Sequence, residues 1–213
     1  DAHDHNLPLM YWYAAEPLAD EDMEKALALA LRSKVPPLPS FMVRRVAAKG
    51  TPETIAFLVK TLGEIEDPPA RLRFLRALNE ALRGRRDVPM PAAWREVSAK
   101  IARTADEAAS AQLSALAARF GDAVALAGMR AALSDPEADL AERTGALAAL
   151  VQARDADLPP LLLAILRGGA VKDAELRGEV LRALAAYGDP GTPRAILDVY
   201  ASLSFPERRD ALS

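Results

Sequence analysis

The sequence predicts an all-α protein built from many short helices. Alanine, the strongest helix former, makes up about a fifth of the 213 residues, whereas aromatic residues make up only 5%. Apolar positions recur with a helical period between turn signals that come about every fifteen residues. Residues that favour strands are sparse, so an all-β fold is not expected.

Composition excludes several classes of protein. Half of the residues (51%) are apolar, and 27 basic residues stand against 30 acidic ones, which argues against a disordered chain and against a basic nucleic-acid binder. The sequence contains no apolar run long enough to predict a transmembrane segment. The chain has no cysteine, which excludes disulfides, Cys-ligated zinc and covalently attached haem within it.

The ends of the helices carry their own signals. Asp or Thr before Pro predicts a helix start, because the side chain caps the first turn and Pro lacks the N–H that would stay unpaired. Such pairs are Thr51-Pro52, Asp67-Pro68, Asp135-Pro136 and Asp189-Pro190. Gly50, Gly121 and Gly188 are predicted to end helices in the left-handed conformation. The predicted helices cover residues 7–15, 21–32, 38–48, 52–63, 68–83, 91–103, 106–119, 122–133, 139–153, 158–166, 173–186 and 190–203, with a frayed last helix starting near Pro206.

The pattern repeats along the chain. Asp139, Arg143 and Leu147 recur 34 residues later as Asp173, Arg177 and Leu181. Pairs of apolar residues continue the same register, namely Val43/Val46, Leu75/Leu78, Leu113/Leu116, Leu147/Leu150 and Leu181/Leu184. The steps correspond to one helical hairpin per repeat, which predicts a single α-solenoid domain over residues 1–213 with about six hairpins. The repeats are expected roughly at 1–34, 35–66, 67–105, 106–134, 135–169 and 170–205.

The repeated pattern resembles that of the HEAT family. An Asp is followed four residues later by Arg, then by apolar positions, and then by Gly or Asp-Pro before a second helix. Tetratricopeptide repeats have a similar length, but their Trp-Leu-Gly-Tyr and Ala-Phe-Pro positions are missing. A HEAT-like solenoid is therefore the expected architecture.

Residues 3–45 carry a narrower resemblance. The pattern runs through Asp4-His5-Asn6-Leu7-Pro8-Leu9-Met10, Tyr11-Trp12-Tyr13, Glu16-Pro17-Leu18 and Ser33-Lys34. It resembles the HEAT-repeat region of the membrane-bound dehydrogenase and haem-binding CxxCH multidomain proteins of the Planctomycetes–Verrucomicrobia group. In those proteins helical repeats lie between a sugar-dehydrogenase-like β-propeller and a c-type cytochrome.

This resemblance implies a function for a longer protein. The segment would be a non-catalytic scaffold between the two redox domains, in the periplasm or cell envelope. The resemblance implies haem c for the parent protein only, because this chain has no CxxCH and no propeller onto which family residues could be placed. The chain begins at Asp1 without a signal-like stretch, so we expect a piece of something longer.

A second reading stays open. The segment could be a free-standing interaction module that grips a partner on the concave face formed by the second helices of the hairpins. Charged residues expected on those helices are Glu24, Lys60, Arg95, Arg130, Arg167 and Arg194. No motif of an enzyme is present, and the partners expected are neighbouring domains or another protein, not nucleic acid.

Three groups of residues invite a functional interpretation. His3-Asp4-His5 is a weak metal-site candidate, although capping of the first helix is the simpler role. Tyr11-Trp12-Tyr13 is a candidate docking surface, since three consecutive helical side chains cannot all face one core. The third group is Arg71, Arg73, Arg76, Arg83, Arg85 and Arg86, together with the repeated Arg143 and Arg177. For the first six arginines we expect places at a helix C-terminus or on a solvated helix face. For Arg143 and Arg177 we expect bridges to the acid at the same repeat position or to a neighbouring repeat.

Overall fold

A computed structural model describes residues 6–85, 88–167 and 174–211. Within these ranges the chain forms helices, turns and loops without a strand, so the predicted all-α class is confirmed. The chain divides into two compact units, Asp1–Leu116 and Ala117–Ser213. Each unit is described by itself.

The helices are short and follow one another closely. They are α1 (Leu7–Ala15), α2 (Leu18–Glu21), α3 (Met23–Arg32), α4 (Leu38–Ala48), α5 (Pro52–Glu64), α6 (Pro68–Ala81), α7 (Trp94–Ala102), α8 (Glu107–Arg119), α9 (Ala123–Ser134), α10 (Leu140–Ala153), α11 (Leu158–Arg167), α12 (Ala174–Tyr187), α13 (Thr192–Val199) and α14 (Phe205–Ala211), with a 3-10 helix at Tyr200–Ser202.

In the first unit, alternate helices pack against each other. α4 packs on α6 and α5 packs on α7, while α3 and α1 also contact α4. Gly63 permits the α5–α7 approach, because a Cβ at this position would lie 2.9 Å from Cγ2 of Val97. The repeated apolar pairs lie in this core, since Val43, Val46, Leu75 and Leu78 are fully buried.

The second unit combines packing of alternate helices with packing of the consecutive helices α9 and α10. α10 packs on α9 and α12, α11 packs on α9 and α13, and α14 packs on α12. The equivalent leucines again lie in the core, with Leu147 and Leu181 almost inaccessible to solvent. The repeat register read from the sequence therefore gives buried positions in both units.

Several predicted helix ends are confirmed. Thr51 and Asp67 each accept a backbone N–H of the first turn with the side chain, as N-caps do. Gly50, Gly121 and Gly188 have φ values of 71°, 65° and 61°, the left-handed conformation that glycine adopts without a Cβ clash.

Two Asp-Pro pairs were wrongly read as helix starts. Asp135 is the C-cap of α9, and its carboxylate accepts the N–H of Glu137, so it closes a turn and α10 begins only behind Asp139. Asp189 in the same way accepts the N–H of Gly191, which is itself the N-cap of α13. In both places the short Asp side chain is satisfied two residues ahead, which favours a turn over a helix.

The sequence also missed a break near residue 22. We predicted one helix over residues 21–32, but α2 ends at Glu21 and the backbone of Asp22 is extended (φ −150°, ψ 93°). Asp22 accepts the N–H of Lys25 and thereby starts α3. An acid read as part of the first turn is thus the N-cap itself.

Candidate functional site

The aromatic residues of α1 lie on a partly open surface. Tyr11 and Tyr13 are 52% and 67% exposed, whereas Trp12 is half-buried and meets the ring of Phe41 on α4 edge to face, with ring centroids 5.5 Å apart. Only the middle residue of the Tyr11-Trp12-Tyr13 run therefore anchors α1 to its neighbour through its ring. Its two flanking tyrosines are available for another contact.

A cleft opens between α1 and α4. It has a volume of about 420 Å³ and is lined by Leu9, Trp12, Tyr13, Phe41, Arg44 and Arg45. The Arg44 guanidinium lies over the Phe41 ring, 5.0 Å from its centroid, a cation–π contact. We call this site the aromatic cleft.

The two arginines of the aromatic cleft have different surroundings. Arg45 is held by carboxylates, with Nε 3.2 Å from Glu16 and Nη2 2.6 Å from Asp20. Arg44 takes part in none of the ion pairs found among the described residues. The cleft therefore combines aromatic rings with one cation that no described carboxylate neutralises.

A second groove lies between α3 and α5. Its volume is about 380 Å³, and its lining includes Glu24, Ala28, Leu31, Phe57, Thr61 and Ile65. Of the charged residues predicted to contact a partner, Glu24 lines this groove. Lys60 is exposed on α5 and Arg95 is exposed on α7.

The other predicted contact residues belong to the second unit. Arg130 donates to Asp155 at 2.7 and 2.8 Å and lies 3.1 Å from Asp157, so it joins α9 to the start of α11. Arg167 lies 4.0 Å from Asp198, and both side chains are about half exposed. Arg194 is exposed on α13. Arg130 thus has a structural partner already in the folded chain.

Many basic side chains bind backbone carbonyls near the ends of helices. Arg71 donates to Ile65 O at 2.8 Å, and Arg143 donates to Leu133 O at 3.1 Å. Both arginines lie in the first turns of a helix and bind the chain near the end of the helix before it. Lys49, Arg85 and Lys100 likewise donate to Ala19 O, Ala48 O and Gly63 O. We call these five residues the capping set, because positive charge there is favourable at the carbonyl end of a helix.

The contacts of the repeated arginines test one expectation. We expected Arg143 and Arg177 to bridge either to the acid at the same repeat position or to a neighbouring repeat. Arg143 binds a carbonyl oxygen of the preceding repeat, Leu133 O, and Arg71, at the equivalent position, binds Ile65 O of the repeat before its own. Arg177 does form an acid bridge, to Glu207 of α14, with atoms 2.6 and 3.1 Å apart. The spacing in the sequence marks the position of each arginine but not its acceptor, because carbonyl acceptors carry no side-chain signature.

Glu207 is the carboxylate whose pKa is changed most clearly. Burial alone would raise its pKa, but hydrogen bonds from Arg177 and from the backbone N–H of Ser204 lower the pKa from 4.5 to about 2. The Ser204-Phe205-Pro206-Glu207 sequence is a capping box, a signal that sequence reasoning missed. The ion pair between Arg177 and Glu207 joins α12 to α14, and these contacts account for the lowered pKa of Glu207 without a ligand.

The metal candidate His3-Asp4-His5 lies outside the described residues. Within residues 6–85, 88–167 and 174–211, no group of three or more His, Cys, Asp or Glu side chains could hold a metal ion. In the same ranges no helix has both the length and the apolar character needed to cross a membrane.

Comparison with protein-family models, with curated proteins and with solved structures finds no match to this chain.

Proposed function

We propose that this chain is a non-catalytic helical-repeat scaffold that links a sugar-dehydrogenase-like domain to a c-type cytochrome domain in a larger redox protein. The haem would belong to the cytochrome domain of that protein, which would lie in the periplasm or cell envelope. The resemblance of residues 3–45 supports the redox setting. The packing of the helices supports the mechanical role.

The observation that carries the mechanical role is the capping set. Arg71 and Arg143 each bind a carbonyl near the end of the preceding helix, and Lys100 on α7 binds the carbonyl of Gly63 on α5. Each contact couples one helix to an earlier one, in addition to the apolar packing of alternate helices. Repeated coupling of this kind favours a HEAT-like solenoid, whose repeats interact mainly with their neighbours and form a stiff spacer.

Charge is consistent with this role. The capping set directs five cations to backbone oxygens of the same chain. Arg130 and Arg177 are paired with carboxylates. These basic residues therefore support the architecture and are not gathered into a face for nucleic acid, which would need many cations directed outward.

The coding sequence around this segment tests the proposal directly. A CxxCH motif encoded in frame downstream supports the redox scaffold. A stop codon soon after Ser213, without a propeller upstream, would contradict it. A second test uses the purified chain, which should show neither a Soret band nor stoichiometric metal. A tightly bound haem or metal would contradict a purely mechanical role.

The second candidate function is that of a free-standing module that grips a protein partner. The groove between α3 and α5 favours it, because Ala28, Leu31 and Phe57 form an apolar lining beside the carboxylate of Glu24. These are the second helices of the first two predicted hairpins. An in-frame stop after Ser213 would make this function the better account.

A further inference from the structure

The α1 helix is apolar around its whole circumference. Leu7–Ala15 contains no charged residue, yet Met10 is 65% exposed and Leu9 41% exposed, beside Tyr11 and Tyr13. A helix that is apolar on all sides is normally covered on all sides. Within the described residues α1 packs chiefly on α4, so a large part of its apolar surface faces outward.

The aromatic cleft has the form of a helix-binding groove. On α1, Leu9 and Tyr13 are four residues apart and lie on one face. On α4, Phe41, Arg44 and Arg45 form the facing ridge by the same spacing. Trp12 and Phe41 meet edge to face between the two helices, and the open surface that they line with Leu9 and Tyr13 can receive the apolar stripe of a third helix.

Arg44 adds a charge requirement. A partner that covers the cleft removes water from its guanidinium, which is costly unless a carboxylate replaces that water. A basic partner would bring like charges together, whereas an acidic one would pair with Arg44. Arg45 makes no such demand, because Glu16 and Asp20 already neutralise it.

We propose that the aromatic cleft binds an amphipathic α-helix that carries an apolar stripe flanked by a carboxylate, with the apolar side chains against Trp12 and Tyr13 and the carboxylate on Arg44. This inference rests on the proposed scaffold function, because it names the kind of segment that the scaffold holds at α1. It goes further in fixing the charge of that segment.

Two labelled synthetic peptides test the inference with the full 213-residue chain. Both are helical and carry leucine at positions i, i+3 or i+4, and i+7, but one has Glu and the other Lys beside the stripe. Fluorescence anisotropy should give a Kd for the Glu peptide about tenfold lower than for the Lys peptide. Arg44→Glu should reverse this preference, and Tyr13→Ser should weaken both peptides.

The matched control is Arg76→Glu, which reverses an exposed charge on α6 outside the cleft and should leave both affinities unchanged. Circular dichroism verifies that each variant keeps its helix content. Equal affinities for the two peptides, or a preference that Arg44→Glu does not reverse, would overturn the charge assignment.

Two other outcomes would show that something other than an acidic amphipathic helix covers the aromatic cleft. If neither peptide binds and the chain forms a concentration-dependent dimer that Tyr13→Ser disrupts, a second copy covers the cleft. If the chain binds vesicles of phosphatidylserine and phosphatidylcholine but neither peptide, the face meets a membrane surface. Each result overturns the peptide assignment while leaving the scaffold proposal to its own test, the coding sequence and the spectrum.

Discussion

The helices α1 and α14 are attached to their neighbours by different forces. α1 itself is uncharged and is held by apolar packing and the Trp12–Phe41 contact, with one partly exposed ion pair at its C-cap, between Glu16 and Arg45. α14 is held by a buried ion pair between Glu207 and Arg177, and Glu207 also closes a capping box with Ser204. We predicted a frayed last helix near Pro206, but this anchored helix begins at Phe205.

The difference indicates which helix needs a further partner. We call Glu207, Arg177 and Ser204 the α14 clamp. Glu207 is only 3% exposed and binds both of the others within the unit, whereas the Phe205 side chain is exposed. The exposed side chains of α1 are mostly large and apolar, and a contiguous apolar patch of this kind marks an interaction surface. The helix α14 is therefore fastened internally, whereas α1 is built to be covered.

The largest expected effect is a loss of stability in the second unit when its core is altered. Leu147→Ala should destabilise the second unit by about 2–5 kcal/mol, because Leu147 is 2% exposed and its removal leaves a cavity. Hydrogen exchange should quicken in α10 and in the two helices that pack on it, α9 and α12, and through α12 in α14. Leu197→Ala is the control, because Leu197 is 72% exposed and its loss should change little. An equal increase in exchange at α1 would contradict neighbour-limited coupling.

The clamp on α14 gives the next effect. Glu207→Gln should cost about 3 kcal/mol, because it leaves the Arg177 guanidinium without its charge partner in a largely buried site. Asp198→Asn removes a half-exposed pair with Arg167 and should cost less than about 0.5 kcal/mol. Urea unfolding followed by circular dichroism compares the two. Equal costs would mean that the clamp is no stronger than a surface pair.

The contribution of the α14 clamp to stability should decrease as the pH falls. The pKa of Glu207 is depressed in the folded chain, so its stabilising contribution is complete above the ordinary value of 4.5 and is lost as the pH falls toward about 2. Exchange in α14 should therefore quicken over that pH range. In Glu207→Gln this pH-dependent part should vanish. If both proteins responded alike, another group would be responsible.

We expect α1 to be attached to its neighbours less strongly than α14. Trp12→Ala should loosen α1 by about 1–2 kcal/mol through loss of the ring contact and its apolar area. Tyr11→Ala should cost under about 0.5 kcal/mol, because Tyr11 is half exposed and does not line the cleft. Exchange of the α1 amides measures both. A Tyr11 effect as large as that of Trp12 would show that both rings anchor the helix.

The smallest effect concerns a turn in the second unit. Arg154 ends α10 with a φ of 52°, a left-handed conformation that costs a non-glycine residue about 1 kcal/mol. Arg154→Gly should raise the free energy of unfolding by about 0.5 kcal/mol, and with it the midpoint of thermal unfolding, since glycine relieves this strain but gains freedom when unfolded. A lower midpoint would indicate that the Arg154 side chain contributes a contact of its own.

The sequence predicts most of this fold because its signals are local or periodic. Apolar spacing located nearly every helix, and the repeat register placed Leu147 and Leu181 in the core. The helix α2 was missed because its single turn is too short for a period to show. Asp135 was misread because Asp before Pro caps a helix and closes a turn equally well.

The candidate site was less predictable. The Tyr11-Trp12-Tyr13 run indicated a surface on α1, but its pairing with Phe41 and Arg44 depends on how α4 lies against α1. The unequal charge environments of Arg44 and Arg45 likewise depend on Glu16 and Asp20, which lie more than twenty residues earlier. Such contacts between distant parts of the chain have no signature in one sequence.

Hydrogen exchange of α1 in a longer protein tests the central claim most directly. The amides of Leu7–Ala15 are compared between the 213-residue chain and the parent protein that the scaffold proposal requires, with α14 as the internal reference. We predict that α1 is protected at least tenfold more in the parent, whereas α14 is protected equally in both. Equal exchange of α1 in the two proteins would contradict the claim that its apolar face is built to be covered.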